Sequence, residues 1–86
     1  MERQALRNTV IATLRGIAPE VGENDLASDR PLRQQVDLDS MDWLHFLIGL
    51  HQALQVDIPE SDYGRLHTLD DLLDYLNAKL QGRAAG

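Results

Sequence analysis

Residues 39–50, DSMDWLHFLIGL, open with two residues that cap helices and continue as a long apolar run, and this combination decides the fold. The side-chain oxygens of Asp39 and Ser40 can accept hydrogen bonds from the unpaired N–H groups of a helix N-terminus. A helix is therefore predicted from about Ser40 to Leu54. A phosphate attached to a hydroxyl at its start would lie in the favourable field of the helix dipole. The placement favours a serine that carries a group over one that cleaves a bond.

The residues of this helix separate into faces at about 100° per residue. The face expected to enter the core comprises Leu44, Phe46, Leu47, Leu50 and Leu54. A polar stripe opposite comprises Asp42, His45, Gly49 and Gln52. Met41 and Ile48 fall outside the core face, so we expect both to be exposed.

Two further segments have helical periodicity. The first runs from about Glu2 to Arg15, with Gly16 as its expected stop. The last begins at Thr68, which forms a capping-box-like pair with Asp71, and ends at Gly82. The expected buried residues are Leu6, Val10, Leu14 and Ile17 in the first, and Leu69, Leu72, Leu73, Leu76 and Leu80 in the last.

Between the first two helices lies a connection of more than twenty residues, which is long for a small domain and indicates a functional loop. Val21, Leu26, Leu32 and Val36 are expected to hold it against the bundle. Residues 56–59 are expected to be extended, with Pro59 opening a short helical turn through Tyr63. The chain is thus predicted to be all-α, a small bundle of three main helices plus one short helix. It forms one domain over 1–86, with a core of about 2–81 and a flexible tail over 82–86.

The composition and the charge of the chain exclude several classes of function. The 86 residues carry a net charge of −6 and contain no cysteine, which excludes disulfides and thiolate metal sites. Residues 17–42 hold seven acids against two arginines, which argues against nucleic acid and favours partners with basic surfaces. The N-terminus has no secretory pattern and no apolar stretch approaches about 20 residues, so a cytoplasmic protein without membrane insertion is expected.

The sequence lacks the residues that two alternative functions, a calcium-binding loop and a serine hydrolase, would require. A calcium loop starting at Asp37 would need glycine where Asp42 stands and glutamate where Ile48 stands. A serine hydrolase would need an α/β sheet and a Gly-x-Ser-x-Gly elbow, and the sequence has neither. His45 and His51 are six residues apart on the helix and cannot share one metal as an i, i+4 pair can. No catalytic residue and no metal site is therefore predicted.

In four segments the chain resembles the acyl carrier proteins and the related peptidyl carrier domains. Asp39-Ser40-Met41 is similar to the family's Asp-Ser-Leu/Met triplet, and 29–32 to its Asp-x-Pro-Leu stretch. Residues 56–59 resemble the segment before the family's short third helix, and 68–72 resemble the start of its last helix. The resemblance covers roughly residues 2–80 in the right order and spacing.

The resemblance implies a carrier rather than an enzyme. Ser40 would hold 4′-phosphopantetheine, transferred from coenzyme A by a separate phosphopantetheinyl transferase that uses Mg²⁺. The thiol of this arm would hold acyl or aminoacyl groups as thioesters, which loading and downstream acyl-processing enzymes would use. Asp39 would cap the helix or help to position the transferase's metal. Met41, Asp42, His45 and Ile48 would contact partners with basic docking surfaces, and a monomer is expected.

Some residues depart from the fatty-acid members of the family. Asp37 stands where glycine is usual, and Asp42 is the only acid in a helix that usually bears several glutamates. Trp43 stands where a small or β-branched residue is frequent; packing under the loop is expected for it, and lining a cargo cavity is the alternative. These departures favour a specialised carrier over a general fatty-acid one. Two other functions stay open: a carrier-fold interaction module that is never pantetheinylated, and an unrelated helical regulator phosphorylated at Ser40.

Overall fold

The computed structural model describes the backbone of residues 2–22 and 25–85, with side chains up to residue 82. Within these ranges the helices are α1 (Arg3–Ile17), α2 (Leu32–Gln35), α3 (Ser40–Leu54), a 3₁₀ helix (Glu60–Arg65) and α4 (Leu69–Ala85). The described residues form no strand, and an isolated bridge joins Pro31 to Thr68. The prediction of a small all-α bundle with three main helices is confirmed.

Helix α1 begins close to the predicted position, with Glu2 as its capping residue, but ends later than predicted. The Glu2 carboxylate accepts hydrogen bonds from the backbone N–H groups of Gln4 (2.9 Å) and Ala5 (3.2 Å). The prediction that Gly16 stops the helix is wrong, because the helix continues to Ile17 and the Ala18 N–H closes it on the Leu14 carbonyl. Its apolar stripe is buried: Leu6, Val10, Ile11 and Leu14, with Ile17 partly buried against them.

Buried side chains and one glutamine hold the described part of the long connection against the bundle. The four residues expected to hold it, Val21, Leu26, Leu32 and Val36, are all buried. The Gln35 side chain accepts a hydrogen bond from the Ala27 N–H (2.7 Å) and donates to the carbonyls of Ala27 and Arg30 (both 2.9 Å). The four-residue helix α2 was not predicted.

Helix α3 packs closely on α1 at Gly49. A Cβ at this position would lie 2.9 Å from Cγ2 of Thr13, nearer than packed carbon atoms normally approach. Glycine therefore allows the two backbones to approach, which offsets its low helix propensity. The helix ends at Leu54, and Gln55 follows in the left-handed conformation (φ 56°).

Helix α4 has the predicted capping box and a longer C-terminal part than expected. The Asp71 N–H donates to the Thr68 hydroxyl (3.0 Å), and the Asp71 carboxylate accepts from the Thr68 N–H (3.1 Å). Leu69, Leu72, Leu73 and Leu76 are buried, and Leu80 is partly buried. The predicted helix end at Gly82 is wrong, because the helical backbone runs to Ala85. The flexible tail over 82–86 stays a prediction, and Gly86 lies outside the described residues.

The core is entirely apolar in the part of the chain that the structure describes. Its buried side chains come from α1, α3, α4 and the connections between them, with no buried charged or polar residue among them. None of the described helices is long and apolar enough to cross a bilayer. The bundle thus holds α3 by one face and leaves the start of this helix at the surface.

Candidate functional site

The hydroxyl of Ser40 is exposed because a neighbouring residue caps the helix. Asp39 is extended (φ −81°, ψ −179°), and its carboxylate accepts a hydrogen bond from the Asp42 N–H at 2.8 Å. Ser40 is the first residue of α3, and no side chain in residues 2–22 or 25–82 hydrogen-bonds its hydroxyl. Both residues can cap in principle, but here Asp39 caps and Ser40 is left accessible.

The surroundings of Ser40 fit a phosphate ester. The first N–H groups of a fifteen-residue helix point towards this end, and their partial positive charge favours a bound anion. Ser40 is flanked by exposed Asp39 and Met41, so a long group attached to its oxygen would extend into solvent. The residues present therefore fit a phosphopantetheine arm, and Ser40 is the residue that would hold it.

Two buried side chains fix the position of this exposed segment. Leu38 precedes it and Trp43 follows it, and both belong to the core. The Trp43 ring packs on Phe46 with 5.3 Å between ring centroids. The predicted packing role of Trp43 is confirmed, and residues 39–42 are held between two apolar anchors.

An apolar stripe follows Ser40 along the exposed face of α3. Its members are Met41, Leu44 and Ile48, which are 60 %, 37 % and 41 % exposed. Met41 and Ile48 are exposed as predicted, whereas the prediction that Leu44 enters the core is wrong. Trp43 takes the core position, and a residue about 100° further round the helix cannot share it. The spacing i, i+3, i+7 was the signal in the sequence that could have placed Leu44 with the other two.

The polar residues predicted to meet partners, His45 and Asp42, lie on the same side of this stripe, next to Met41. His45 is exposed and adjoins Met41 around the helix. Asp42 is half-buried and lies about 100° from Met41, in the first turn of α3. The structure therefore places Met41, His45 and Ile48 on one face, with Asp42 further round the helix in its first turn.

A groove lies beside the Trp43 indole, and we call it the Trp43 groove. It has a volume of about 280 Å³, and its lining includes Pro31, Arg33, Trp43, Tyr63, Leu66 and His67. The packing of Trp43 and the lining of a cavity, posed as alternatives from the sequence, therefore coexist. The groove was not predictable, because α2 and the 3₁₀ helix bring its walls together from distant parts of the chain.

Backbone hydrogen bonds hold the wall of this groove. The Leu32 N–H donates to the His67 carbonyl (2.9 Å), and the Asp71 carboxylate accepts from the His67 N–H (3.2 Å). Burial alone would raise the pKa of Asp71, but the bonds from the Thr68 and His67 amides and the Thr68 hydroxyl outweigh it, so this pKa is lowered. The charged carboxylate thus stabilises the junction of α2 with α4.

The 3₁₀ helix is tied to α4 by a tyrosine. The Tyr75 hydroxyl donates to the Asp62 carboxylate at 2.6 Å, and Arg65 lies 3.8 Å from the same side chain. Burial, together with the bond to Asp62 and the charge of this carboxylate, raises the pKa of Tyr75 to about 12. This contact positions the segment that carries Tyr63.

The histidines do not form a metal site within the described residues. His51 Nδ1 lies 2.7 Å from the Val56 carbonyl, to which it donates in the tautomer that has its hydrogen on Nδ1, and this bond closes the turn after α3. In the same part of the chain no group of three histidine, aspartate or glutamate side chains could hold an ion.

Comparison with known proteins shows a matching family and similar carrier proteins. The family described as "Phosphopantetheine attachment site" matches residues 8–76, which include the whole of α3. The mitochondrial acyl carrier protein of Saccharomyces cerevisiae is 22 % identical over 59 residues, a match that covers 69 % of this chain and 47 % of the yeast protein. The chain thus spans about half the length of this curated relative.

Proposed function

The chain belongs to the acyl carrier protein family, whose non-catalytic members hold 4′-phosphopantetheine, and from this we propose that Ser40 carries the arm. The observation that best supports attachment at Ser40 is that two adjacent residues have different roles. Asp39 caps α3, and the Ser40 hydroxyl stays exposed at the positive end of the helix. Both residues lie within the matched segment.

Attachment would be a phosphoryl transfer to Ser40. Its oxygen forms a bond to the phosphorus that bears the pantetheine, and the bond from this phosphorus to the nucleotide half of coenzyme A breaks. Adenosine 3′,5′-bisphosphate leaves, and a base of the transferase accepts the serine proton. When bound, the arm supplies a thiol that forms thioesters with acyl groups, and this also fits a chain without cysteine.

The contribution of this chain is to present the arm and to bind partners. A phosphopantetheinyl transferase and acyl-processing enzymes are the partners that a carrier of this family implies. We place their docking site on the exposed stripe of Met41, Leu44 and Ile48, with Asp42 and His45 beside it. Exposed apolar side chains next to the attachment residue suit a transient interface. A cytoplasmic location and a monomeric state stay predictions.

The composition of α3 supports a specialised carrier. Asp42 is its only acid, and three large apolar side chains are exposed along it. A partner would therefore recognise this surface more by apolar contact than by rows of charge. Efficient acylation and elongation by a general set of fatty-acid synthase enzymes would contradict this part of the proposal.

The attachment is tested with a broad-specificity transferase, Mg²⁺ and a fluorescent coenzyme A analogue. Wild-type protein should become labelled, and Ser40→Ala should not. Ser61→Ala, which changes an exposed serine in the 3₁₀ helix, is the matched control and should be labelled like wild type. Labelling of the Ser40→Ala variant would overturn the assignment of the site.

A further inference from the structure

The Trp43 groove differs from neighbouring cavities in the charge of its lining. Among the described side chains that form it, Arg33 carries a charge, His67 lies with it in the lining, and there is no carboxylate. Three other cavities, beside α4, beside α2 and at the end of α3, each include at least one carboxylate, for example Asp74, Glu20 and Asp57. A groove whose described lining has a guanidinium and no carboxylate, in a chain of net charge −6, favours an anionic occupant.

The Arg33 guanidinium is available for such an occupant. Its side chain makes no ion pair or hydrogen bond with any residue that the structure describes. Its helix is nevertheless fixed, because Leu32 is bonded to the His67 carbonyl and Gln35 to the preceding loop. The cation thus lies on a fixed backbone and has no partner among the residues that the structure describes.

The groove has apolar walls and lies next to the attachment residue. Trp43 and Tyr63 offer aromatic surface to an acyl chain. Trp43 is three residues after Ser40, so the two residues are neighbours on the helix. The groove has a volume of about 280 Å³, which accommodates a short acyl group.

We infer that the Trp43 groove binds the acyl end of the arm and that the cargo is a short acyl group with a terminal carboxylate, which pairs with Arg33. Guanidinium and carboxylate form charge-assisted, often bidentate hydrogen bonds. The inference rests on the proposed attachment at Ser40. The phosphate of the arm is a second anion that a guanidinium can bind. The test must therefore distinguish this phosphate from the terminal carboxylate of the cargo.

The test loads the protein with coenzyme A, pentanoyl-coenzyme A or glutaryl-coenzyme A, two acyl groups of equal carbon count that differ in the terminal carboxylate. Trp43 is the only tryptophan, so its indole N–H gives a single NMR signal that reports on the groove. The glutaryl form should occupy the groove about two- to fivefold more than the pentanoyl form, the range that an exposed ion pair supplies, and should therefore shift this signal further. Arg33→Gln should remove this difference. Arg30→Gln, an exposed arginine outside the groove lining, should keep it.

Each contrary result has a distinct meaning. Equal or larger shifts with the pentanoyl form would overturn the carboxylate assignment. If Arg33→Gln changed the Trp43 signal as much in the unacylated form as in the glutaryl form, Arg33 would bind the phosphate of the arm. This result would also overturn the carboxylate assignment. Intact mass separates the two proposals: a mass gain without any shift would overturn this inference alone, and no mass gain would overturn both.

Discussion

At the residue scale, capping and reactivity are divided between Asp39 and Ser40. Since Asp39 makes the capping bond, Ser40→Ala should change the free energy of unfolding by less than about 0.5 kcal/mol. Asp39→Ala removes the bond to the Asp42 N–H and should cost about 1 kcal/mol. Urea unfolding of the two variants beside wild type measures both changes. A larger loss in Ser40→Ala than in Asp39→Ala would mean that Ser40 is the structural cap.

The contribution of Asp71 to the stability of the start of α4 depends on pH. Its pKa is lower in the folded state than the ordinary 3.8, so its contribution is fully present above that value and is lost as the pH falls through the folded pKa. Asp71→Asn should cost about 1 kcal/mol at pH 7 and should flatten the loss of stability in acid. Urea midpoints at pH 7 and at successive steps below pH 4 test this. Asp29→Asn, an exposed aspartate in the loop, is the control and should keep the acid slope of wild type.

At the element scale, two helical glycines have opposite roles. A Cβ at Gly16 would meet nothing within 4 Å, so Gly16→Ala should stabilise α1 by up to about 1 kcal/mol. At Gly49 the new methyl would press on Thr13 Cγ2, and Thr13 is fixed by its bond to the Thr9 carbonyl (2.9 Å). Gly49→Ala should therefore destabilise by about 1 kcal/mol, because overpacking exceeds the gain in helix propensity.

Removing the opposing methyl provides the control for this contact. Thr13→Ser keeps the hydroxyl and deletes Cγ2, so in this background Gly49→Ala should be neutral or stabilising. Thermal unfolding of the four proteins gives the coupling between the two positions. Additive changes would show that Gly49 does not set the approach of α1 and α3.

The hydrogen bond that links the 3₁₀ helix to α4 should weaken at alkaline pH. Tyr75 has a pKa of about 12, above its ordinary 10.0, so its contribution is present below pH 10 and is lost as the pH rises through the folded value. Tyr75→Phe should speed hydrogen exchange of Glu60–Arg65 and weaken the loss of stability above pH 10. Tyr63→Phe changes a tyrosine without a hydroxyl bond to any described residue and should do neither.

Regular elements were predictable because their patterns are local. The capping residue and the apolar stripe define α3 from Ser40 to Leu54, and Thr68 with Asp71 defines the start of α4. Helix α2 is too short for a periodic pattern and depends on Gln35, whose bonds reach the other end of the loop. Glycine was a misleading stop signal at Gly16 and Gly82, since an exposed helix tolerates it at modest cost.

The candidate site likewise has a part that was predictable from local sequence and a part that was not. Ser40 and Asp39 were identifiable from adjacent residues, and Met41 and Ile48 from their angle around the helix. Leu44 was misplaced because leucine is most often buried, whereas the larger Trp43 filled the core position. The Trp43 groove needs contacts between α2, α3 and the 3₁₀ helix, which no local pattern encodes.

At the scale of the whole molecule, the exposed stripe on α3 should govern recognition without affecting the fold. Met41→Ala and Ile48→Ala should each raise the KM of the transferase by up to about tenfold, as truncation of an apolar interface contact does. Their unfolding midpoints should stay near that of wild type, because both side chains are exposed. Gln81→Ala, an exposed change on α4, is the control and should leave the KM unchanged. Wild-type kinetics for the stripe variants would place docking elsewhere.

The central claim is that this chain is a carrier modified at Ser40. Intact mass followed by peptide mapping, after co-expression with a broad-specificity phosphopantetheinyl transferase, tests it most directly. A gain equal to one phosphopantetheine, located on the peptide that contains Ser40, is the predicted result. An unmodified Ser40 in folded protein, with a control carrier modified in parallel, would contradict it and favour an interaction module. A gain of one phosphate would contradict it and indicate a phosphorylated regulator.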